Sequence, residues 1–369
     1  MRNAITALLL ALALPAAAQT WTFAVAGDSR NCGDVVMPAI AGGVKANGAT
    51  FYWHLGDFRA IYNFDEDMQA EAAMAKKPAL SITDYLRGSW PDFLRNQIAP
   101  FAPTPVYLGI GNHELYNGKS RGDYIAQFGD WLTQPAVRDQ RLADDPNDHM
   151  LKTYYHWING GVDFITLDNA SYDQFDNAQL SWFAKVLKNA AANPAVKTVV
   201  VGTHAALPYS ITCDHSMNES AQGTKSGEDV YRQLLKFRAD AKKNVYLLAS
   251  HSHFVVSDIF NSEYWQKNGG VIPGMIIGTA GAIRYRLPSD TLADAPPERA
   301  MTDVYGYFLA TVAADGTIKF DFHKIEESSV PEPVVTRYGT DFVHQCFAGN
   351  RDLRSRNSKP CSSVNPIAP

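Results

Sequence analysis

Val106-Tyr107-Leu108-Gly109-Ile110-Gly111-Asn112-His113-Glu114 runs from an apolar stretch through two glycines into a cluster of polar side chains. A short β-branched and aromatic run of this kind reads as a buried strand. The pattern recurs along the chain. Thr22-Phe23-Ala24-Val25-Ala26 leads into Gly27-Asp28-Ser29-Arg30, and Phe51-Tyr52-Trp53 leads to Gly56-Asp57. Thr198-Val199-Val200-Val201 leads into Gly202-Thr203-His204, and Val245-Tyr246-Leu247-Leu248 into Ser250-His251-Ser252-His253. Val162 to Leu167 is a further apolar run, and helical stretches separate several of these strands. The clearest helix starts at Asp176 as N-cap, with Gln179 completing a capping box and Leu180, Phe183, Val186 and Leu187 on one face. Alternating strands and helices predict an α/β fold.

In an open α/β sheet the carboxyl ends of the strands line one crevice. All five polar clusters therefore face a common place, and two Asp, one Asn and several His gather there. Glycine before Asp28, Asp57 and Asn112 lets the backbone turn sharply as each strand ends. His251 and His253 alternate with Ser252 and point to one side if extended. Carboxylate and carboxamide oxygens mixed with imidazoles suit Mn, Fe or Zn and need no thiolate. His54, His149, His156, His215, His323 and His344 lie outside these clusters and read as ordinary hydrogen-bonded residues.

The order Asp motif, Gly-Asp, Gly-Asn-His-Glu, lone His and Ser-His-Ser-His resembles the calcineurin-like metallophosphoesterase family over roughly residues 22 to 325. The resemblance implies a four-layer α/β/β/α sandwich of two packed mixed sheets flanked by helices. It also implies two divalent ions. Asp57 would bridge them, Asn112, His204 and His251 would complete one site, and Asp28 and His253 would belong to the other. His113 would contact the substrate phosphate or protonate the leaving oxygen. Two such ions sit roughly 3.5–4 Å apart, clamp the attacking and leaving oxygens, and make hydroxide available at neutral pH. The expected activity is hydrolysis of phosphate mono- or diesters by a metal-bound hydroxide. One departure stands out. The family carries Asp-x-His in its first motif, and here Arg30 takes the place of that His. A guanidinium stays protonated and cannot ligate. Arg30 is therefore expected to contact the substrate phosphate beside a weakened metal site, and Tyr62 is the nearest substitute ligand.

The N-terminus places the chain. One positive charge at Arg2, an apolar run from Ile5 to Leu14, Pro15 and the small residues Ala16-Ala17-Ala18 make a secretory signal peptide over residues 1–18. The product is expected to be exported, periplasmic or secreted, with no later stretch long enough to span a membrane. A net charge of −5 argues against nucleic acid as the main partner. A small phosphorylated substrate remains compatible, because bound metal supplies positive charge locally. Nothing in the sequence indicates an oligomeric state. Residues 19–325 read as the catalytic domain, with insertions about 60–105 and 115–152 placed as lids or specificity loops, and 326–369 as a peripheral tail. Four cysteines in an exported chain suggest disulfides: Cys346 with Cys361 within the tail, and Cys32 with Cys213 if their motifs meet.

Two other readings compete. Gly27-Asp28-Ser29 with Asp341-Phe342-Val343-His344 mimics the nucleophile and histidine blocks of a GDS-type serine esterase, with Asn112 in its oxyanion hole. That scheme leaves Asp57, His204, His251 and His253 without a role. The altered first motif also fits a relative that binds a phosphorylated ligand without turnover.

Overall fold

A computed structural model describes residues 20–352 apart from 172–173, 212–214, 288–295 and 297. Its strands form two sheets. The first, ordered β12-β11-β1-β2-β3, holds β1 (Trp21–Ala26), β2 (Tyr52–His54), β3 (Val106–Leu108), β11 (Tyr305–Val312) and β12 (Ile318–Ile325). The second, ordered β10-β8-β9-β7-β6-β5-β4, holds β4 (Tyr155–Asn159), β5 (Val162–Thr166), β6 (Thr198–Gly202), β7 (Asn244–Ala249), β8 (Val255–Ser257), β9 (Gly274–Ile277) and β10 (Ala300–Met301). Strands β1, β2 and β3 are parallel, as are β5, β6, β7 and β9, while antiparallel neighbours close the first sheet at its β12 edge and the second sheet at both edges.

Side-chain alternation divides each strand between two layers. Phe23 and Phe51 meet Phe164 across the gap between the sheets, and Trp53 meets Trp157. On the other side of β2, the Tyr52 hydroxyl reaches Met37 of α1 (Gly33–Ala46). On β6, Val200 belongs to the core between the sheets, while Val199 and Val201 join the outer core with α6 (Asn177–Ala192) and α7 (Ala221–Ala241). Burial on both faces explains why these strands read as unbroken apolar runs. Each buried large apolar side chain contributes roughly 1.5–3 kcal/mol. The layers are helix, sheet, sheet, helix.

The two inserted segments are helical. Residues 60–105 supply α2 (Glu66–Met74) and α3 (Ile82–Phe93), followed by a π-helical turn, Leu94–Ile98, that packs on α1. Residues 115–152 supply α4 (Arg121–Leu132) and α5 (Pro135–Asp144), which pack on β3 and β4. A short helix, α8 (Glu263–Lys267), precedes β9. The tail folds back as α9 (Glu332–Tyr338) and α10 (Thr340–Ala348), with Tyr338 and Cys346 buried.

Three expectations change. Cys32 is bonded to Cys346, not to Cys213, and Cys346 is therefore not paired with Cys361. The reason lies in residues 281–284, where Gly281 accepts from the Cys32 amide and Arg284 pairs with Asn350, carrying the end of α10 beside Cys32. Cys213 and Cys361 lie outside the described residues, as does the signal peptide. Arg284 is buried, and its guanidinium donates to the carbonyls of Cys346 and Phe347 at the end of α10. Asp176 does cap α6 through the Gln179 amide, yet the Gln179 side chain bonds the backbone of Asp168 instead of closing the box.

Candidate metal centre

The carboxyl ends of the parallel strands open into one crevice, where the sheets meet through a hydrogen bond from Gly27 N to Ile277 O. Asp28 follows β1, Asp57 follows β2, Asn112 follows β3, His204 follows β6, and His251 and His253 follow β7. All six are buried. Ligating atoms of Asp28, Asp57, His204 and His251 lie within 4.8 Å of one another. The Asn112 carboxamide oxygen is 2.9 Å from His204 Nε2. These residues lie far apart in sequence, and the strand order brings them together.

The backbone is strained where the cluster forms. Asp28, Asp57 and His251 take left-handed conformations with φ of 60°, 60° and 66°. Such conformations in non-glycine residues cost of order 1–3 kcal/mol each and gather at functional sites. The preceding glycines serve mainly another purpose. A Cβ on Gly111 would fall 2.3 Å from an Asp57 carboxylate oxygen, and one on Gly27 would meet Ser250 Cβ at 2.6 Å. Only Gly56, at φ 100°, makes the turn by its own freedom.

Backbone carbonyls set the imidazoles. His204 Nδ1 donates to Leu55 O (3.0 Å), His253 Nδ1 to Ile283 O (2.6 Å) and His113 Nδ1 to Ala60 O (2.5 Å). A carbonyl only accepts, so each ring keeps its Nε2 for the crevice. His204 Nε2 then meets Asn112 Oδ1 at 2.9 Å and Asp57 Oδ1 at 3.2 Å. Three acceptors at that separation call for a positive charge among them. Burial opposes a proton on His204, yet the Asp57 and Asp28 carboxylates hold its pKa up to about 9. Burial, with His204 and His215 nearby, keeps His251 well below its ordinary value, in the neutral form a metal requires. Among the described residues, Asp28 Oδ1 and Asp57 Oδ2 accept no hydrogen bond although wholly buried. Unsatisfied buried oxygens beside the neutral His251 imidazole fit a divalent cation.

Arg30 and His113 flank this cluster. Arg30 Nη2 is 3.0 Å from His253 Nε2, Nε is 3.9 Å from Asp57 Oδ2, and Nη1 donates to the Tyr62 hydroxyl at 3.4 Å. Tyr62 is 56% exposed and touches Arg30 from the solvent side. His113 Nε2 lies 3.5 Å from Asp57 Oδ2, and burial lowers its pKa to about 3 despite that carboxylate.

Several further residues support the cluster, most of them without a role in the sequence reading. Glu114 accepts from the amides of Asp57, Phe58 and Gly111 (2.9, 2.9 and 2.8 Å), tying the loops after β2 and β3 together. Its place at the end of Gly-Asn-His-Glu was the available signal. Asn169 accepts from the amides of His204 and Ala205 and fixes the loop after β6. Ser250 Oγ sits 3.1 Å from His204 Nδ1. Tyr62 and Tyr116 pack around His113, with ring centroids 4.9 and 5.1 Å away. The ring of His215, read as an ordinary residue, lies 4.8 Å from that of His251. Nothing local to its sequence marks it. The serine esterase arrangement is not assembled: buried Ser29 contacts His54 at 2.9 Å, while His344 is bonded to Glu327.

The solved structure of PhoD is similar to this chain at 15% identity, covering 90% of it and 78% of PhoD with a TM-score of 0.49. A provisionally assigned enoyl-CoA hydratase/isomerase from Acinetobacter baumannii aligns over 26% of this chain and 39% of its own at 20% identity, with a TM-score of 0.18. Neither likeness carries weight, and no curated protein matches the sequence significantly. The family comparison is different: the calcineurin-like phosphoesterase family matches residues 22–254, from β1 through His253, and so takes in every residue placed above around the cluster except the supporting loops beyond it. With that match spanning more than half of the sequence, and the two-sheet topology agreeing with it, the chain belongs to the calcineurin-like phosphoesterase family.

Proposed function

We propose that this protein is an exported, metal-dependent phosphoesterase that hydrolyses mono- or diesters of phosphoric acid. The observation carrying the proposal is the convergence of buried acceptors, Asp28, Asp57, Asn112, His204 and His251, with too few protons among them. A divalent ion, Mn, Fe or Zn, held by these side chains would supply Lewis acidity and lower the pKa of coordinated water. His253 and Arg30 lie on the far side of the two carboxylates. Arg30 is positioned to offer a fixed positive charge to the phosphate. His113 presents Nε2 toward Asp57, and since burial keeps it neutral with its proton on Nδ1, it would first take up a proton from solvent at Nε2, favoured by the negative charge of a bound phosphate, before passing it to the leaving oxygen.

The starts of both inserted segments reach this crevice through Tyr62 and Tyr116, which supports a role for them in choosing the ester. Residues 19–325 would be the catalytic domain and 326–369 a tail docked through Cys346. The leader-like residues 1–18 and the disulfide support export. Among the described residues no helix is long and apolar enough to cross a membrane. A small phosphorylated molecule is the expected partner.

The test is a panel of aryl phosphate mono- and diesters assayed after chelation and after adding back Mn, Fe or Zn. Hydrolysis should vanish with chelator and return with metal, and Asn112→Ala and His251→Ala should abolish it while circular dichroism stays native. Hydrolysis that survives chelation but is lost in Ser29→Ala would sink the proposal in favour of a serine esterase. Metal binding with no turnover of any ester would favour a non-catalytic relative.

A further inference from the structure

A second ion in this crevice would have to draw on donors outside the first set. Asp28 Oδ1, Asp57 Oδ2 and His253 Nε2 are the atoms available, and Asp28 Oδ1 lies 3.2 Å from His253 Nε2. Arg30 is already there. Its Nη2 stands 3.0 Å from His253 Nε2, and its Nε faces Asp57 Oδ2 at 3.9 Å. His253 gives its Nδ1 proton to Ile283 O, so Nε2 can only accept, and a guanidinium nitrogen can only donate. The contact therefore occupies the lone pair a metal would need. We propose that the centre holds one metal ion and that the Arg30 guanidinium is the permanent cation in the place of a second.

This inference rests on the metal reading above and adds to it. The charge pattern agrees. Asp28 and Asp57 are the two carboxylates at the heart of the crevice, and one divalent ion already balances them. Arg30 then leaves the site positive for a phosphate, whereas a further divalent ion would press against a buried guanidinium of like charge. Arg30 is 5% exposed and held from outside by the Tyr62 hydroxyl, so it is built into the crevice and does not reach in from the surface. The donor grouping agrees as well. Asp28 lies within 4.8 Å of the same atoms as Asp57, His204 and His251, so it can serve the first ion, and His253 is left to Arg30. A phosphate ester would thus meet one metal and one guanidinium.

Elemental analysis after saturation with Mn and removal of loose ions gives the test, with electron paramagnetic resonance as the second readout. The full chain should retain one Mn per molecule and give the spectrum of an isolated ion. Arg30→His restores a neutral imidazole donor at that position and should take up a second ion, with a spin-coupled spectrum. Arg30→Met, which removes the charge and offers no strong donor, should stay at one. Thermal unfolding establishes that each variant is folded. Two ions in the unaltered protein, or a folded Arg30→His that still holds one, would overturn the inference. No bound ion in the unaltered protein would instead overturn the metal reading on which it stands.

Discussion

The loop after β2 feeds two buried charged clusters only two residues apart, and they are built on opposite terms. Asp57 enters the candidate metal centre, where its Oδ2 and Asp28 Oδ1 accept no hydrogen bond among the described residues. Arg59 enters a cluster on the helical side of the sheet, where it meets Asp34 at 2.5 Å and Asp67 at 2.9 Å and also bonds Asp92. Asp34 further accepts from Gln97 (2.9 Å) and the Tyr338 hydroxyl (2.9 Å), and Asn96 donates to Asp92 at 3.0 Å. Among the described residues, no carboxylate oxygen of Asp34, Asp67 or Asp92 is left without a partner. Burial and like charge raise Asp67 well above its ordinary value, and burial pushes Asp92 up to about 7 against the pull of Arg59, so the surplus acid is partly protonated. A cluster whose carboxylate oxygens are all occupied holds the fold together. A cluster with carboxylate oxygens to spare is compatible with a bound cation.

The sharpest way to break this comparison is to remove the centre of each cluster in turn. Arg59→Met leaves three carboxylates buried without their cation, and stripping one partner from a buried ion network typically costs 3–5 kcal/mol. Urea unfolding should show a loss of that size, and a loss below about 1 kcal/mol would mean that the cluster is not structural. Asp57→Asn should behave the other way. Its Oδ1 can still accept from the His113 amide, so the metal-free protein should change in stability by less than about 1 kcal/mol. Hydrolysis should fall by roughly a thousandfold or more, about 4 kcal/mol of barrier. Metal at a hundred times its dissociation constant stabilises a folded protein by about 2.7 kcal/mol. Thermal unfolding with and without chelator should show that gain in the unaltered protein and none in Asp57→Asn.

The difference between the clusters also decides what can be read in the sequence. Strand-end residues are legible because an apolar run, a glycine and a polar side chain make a local pattern, and sheet topology then does the assembling. Asp28, Asp57, Asn112, His204, His251 and His253 were picked out that way, and the structure places all six in one crevice. The saturated cluster is not legible. Asp34, Asp67 and Asp92 sit on three helices, or at their edges, where an acid ordinarily faces water, and only the packing of α1, α2 and α3 turns them inward. Tyr338, which completes this cluster from the tail, lies 304 residues beyond Asp34. The disulfide misled for the same reason. Closeness in sequence suggested Cys346 with Cys361, but the partner of Cys346 is set by how α10 docks beside the start of α1, 314 residues away. His215 belongs with these: its position beside His251 depends on the path of a loop that no periodicity describes.

A third buried cluster allows a finer test, because its centre titrates. His156 on β4 gives Nδ1–H to Asp163 (2.8 Å) and Nε2–H to Asp144 (2.5 Å), so both ring nitrogens are engaged by carboxylates, as Arg59 is. Burial works against the charge, but the two carboxylates win and raise His156 to about 9. Burial opposes ionisation of Asp144 too, yet the bond from His156 holds it below its ordinary value, while burial raises Asp163, so Asp144 is the principal counter-ion. A folded pKa above the unfolded value of about 6.5 means that the folded state binds the extra proton. The resulting stability is fully present below about pH 6.5 and drains away as pH rises toward 9. Between about pH 6 and pH 9.5 the unfolding free energy of the unaltered protein, taken relative to His156→Gln, should therefore fall by something on the order of 1–3 kcal/mol. Chemical denaturation at the two pH values measures it. If the difference stays flat, His156 is neutral between its carboxylates, and full occupancy of the carboxylate oxygens no longer separates structural clusters from the metal centre.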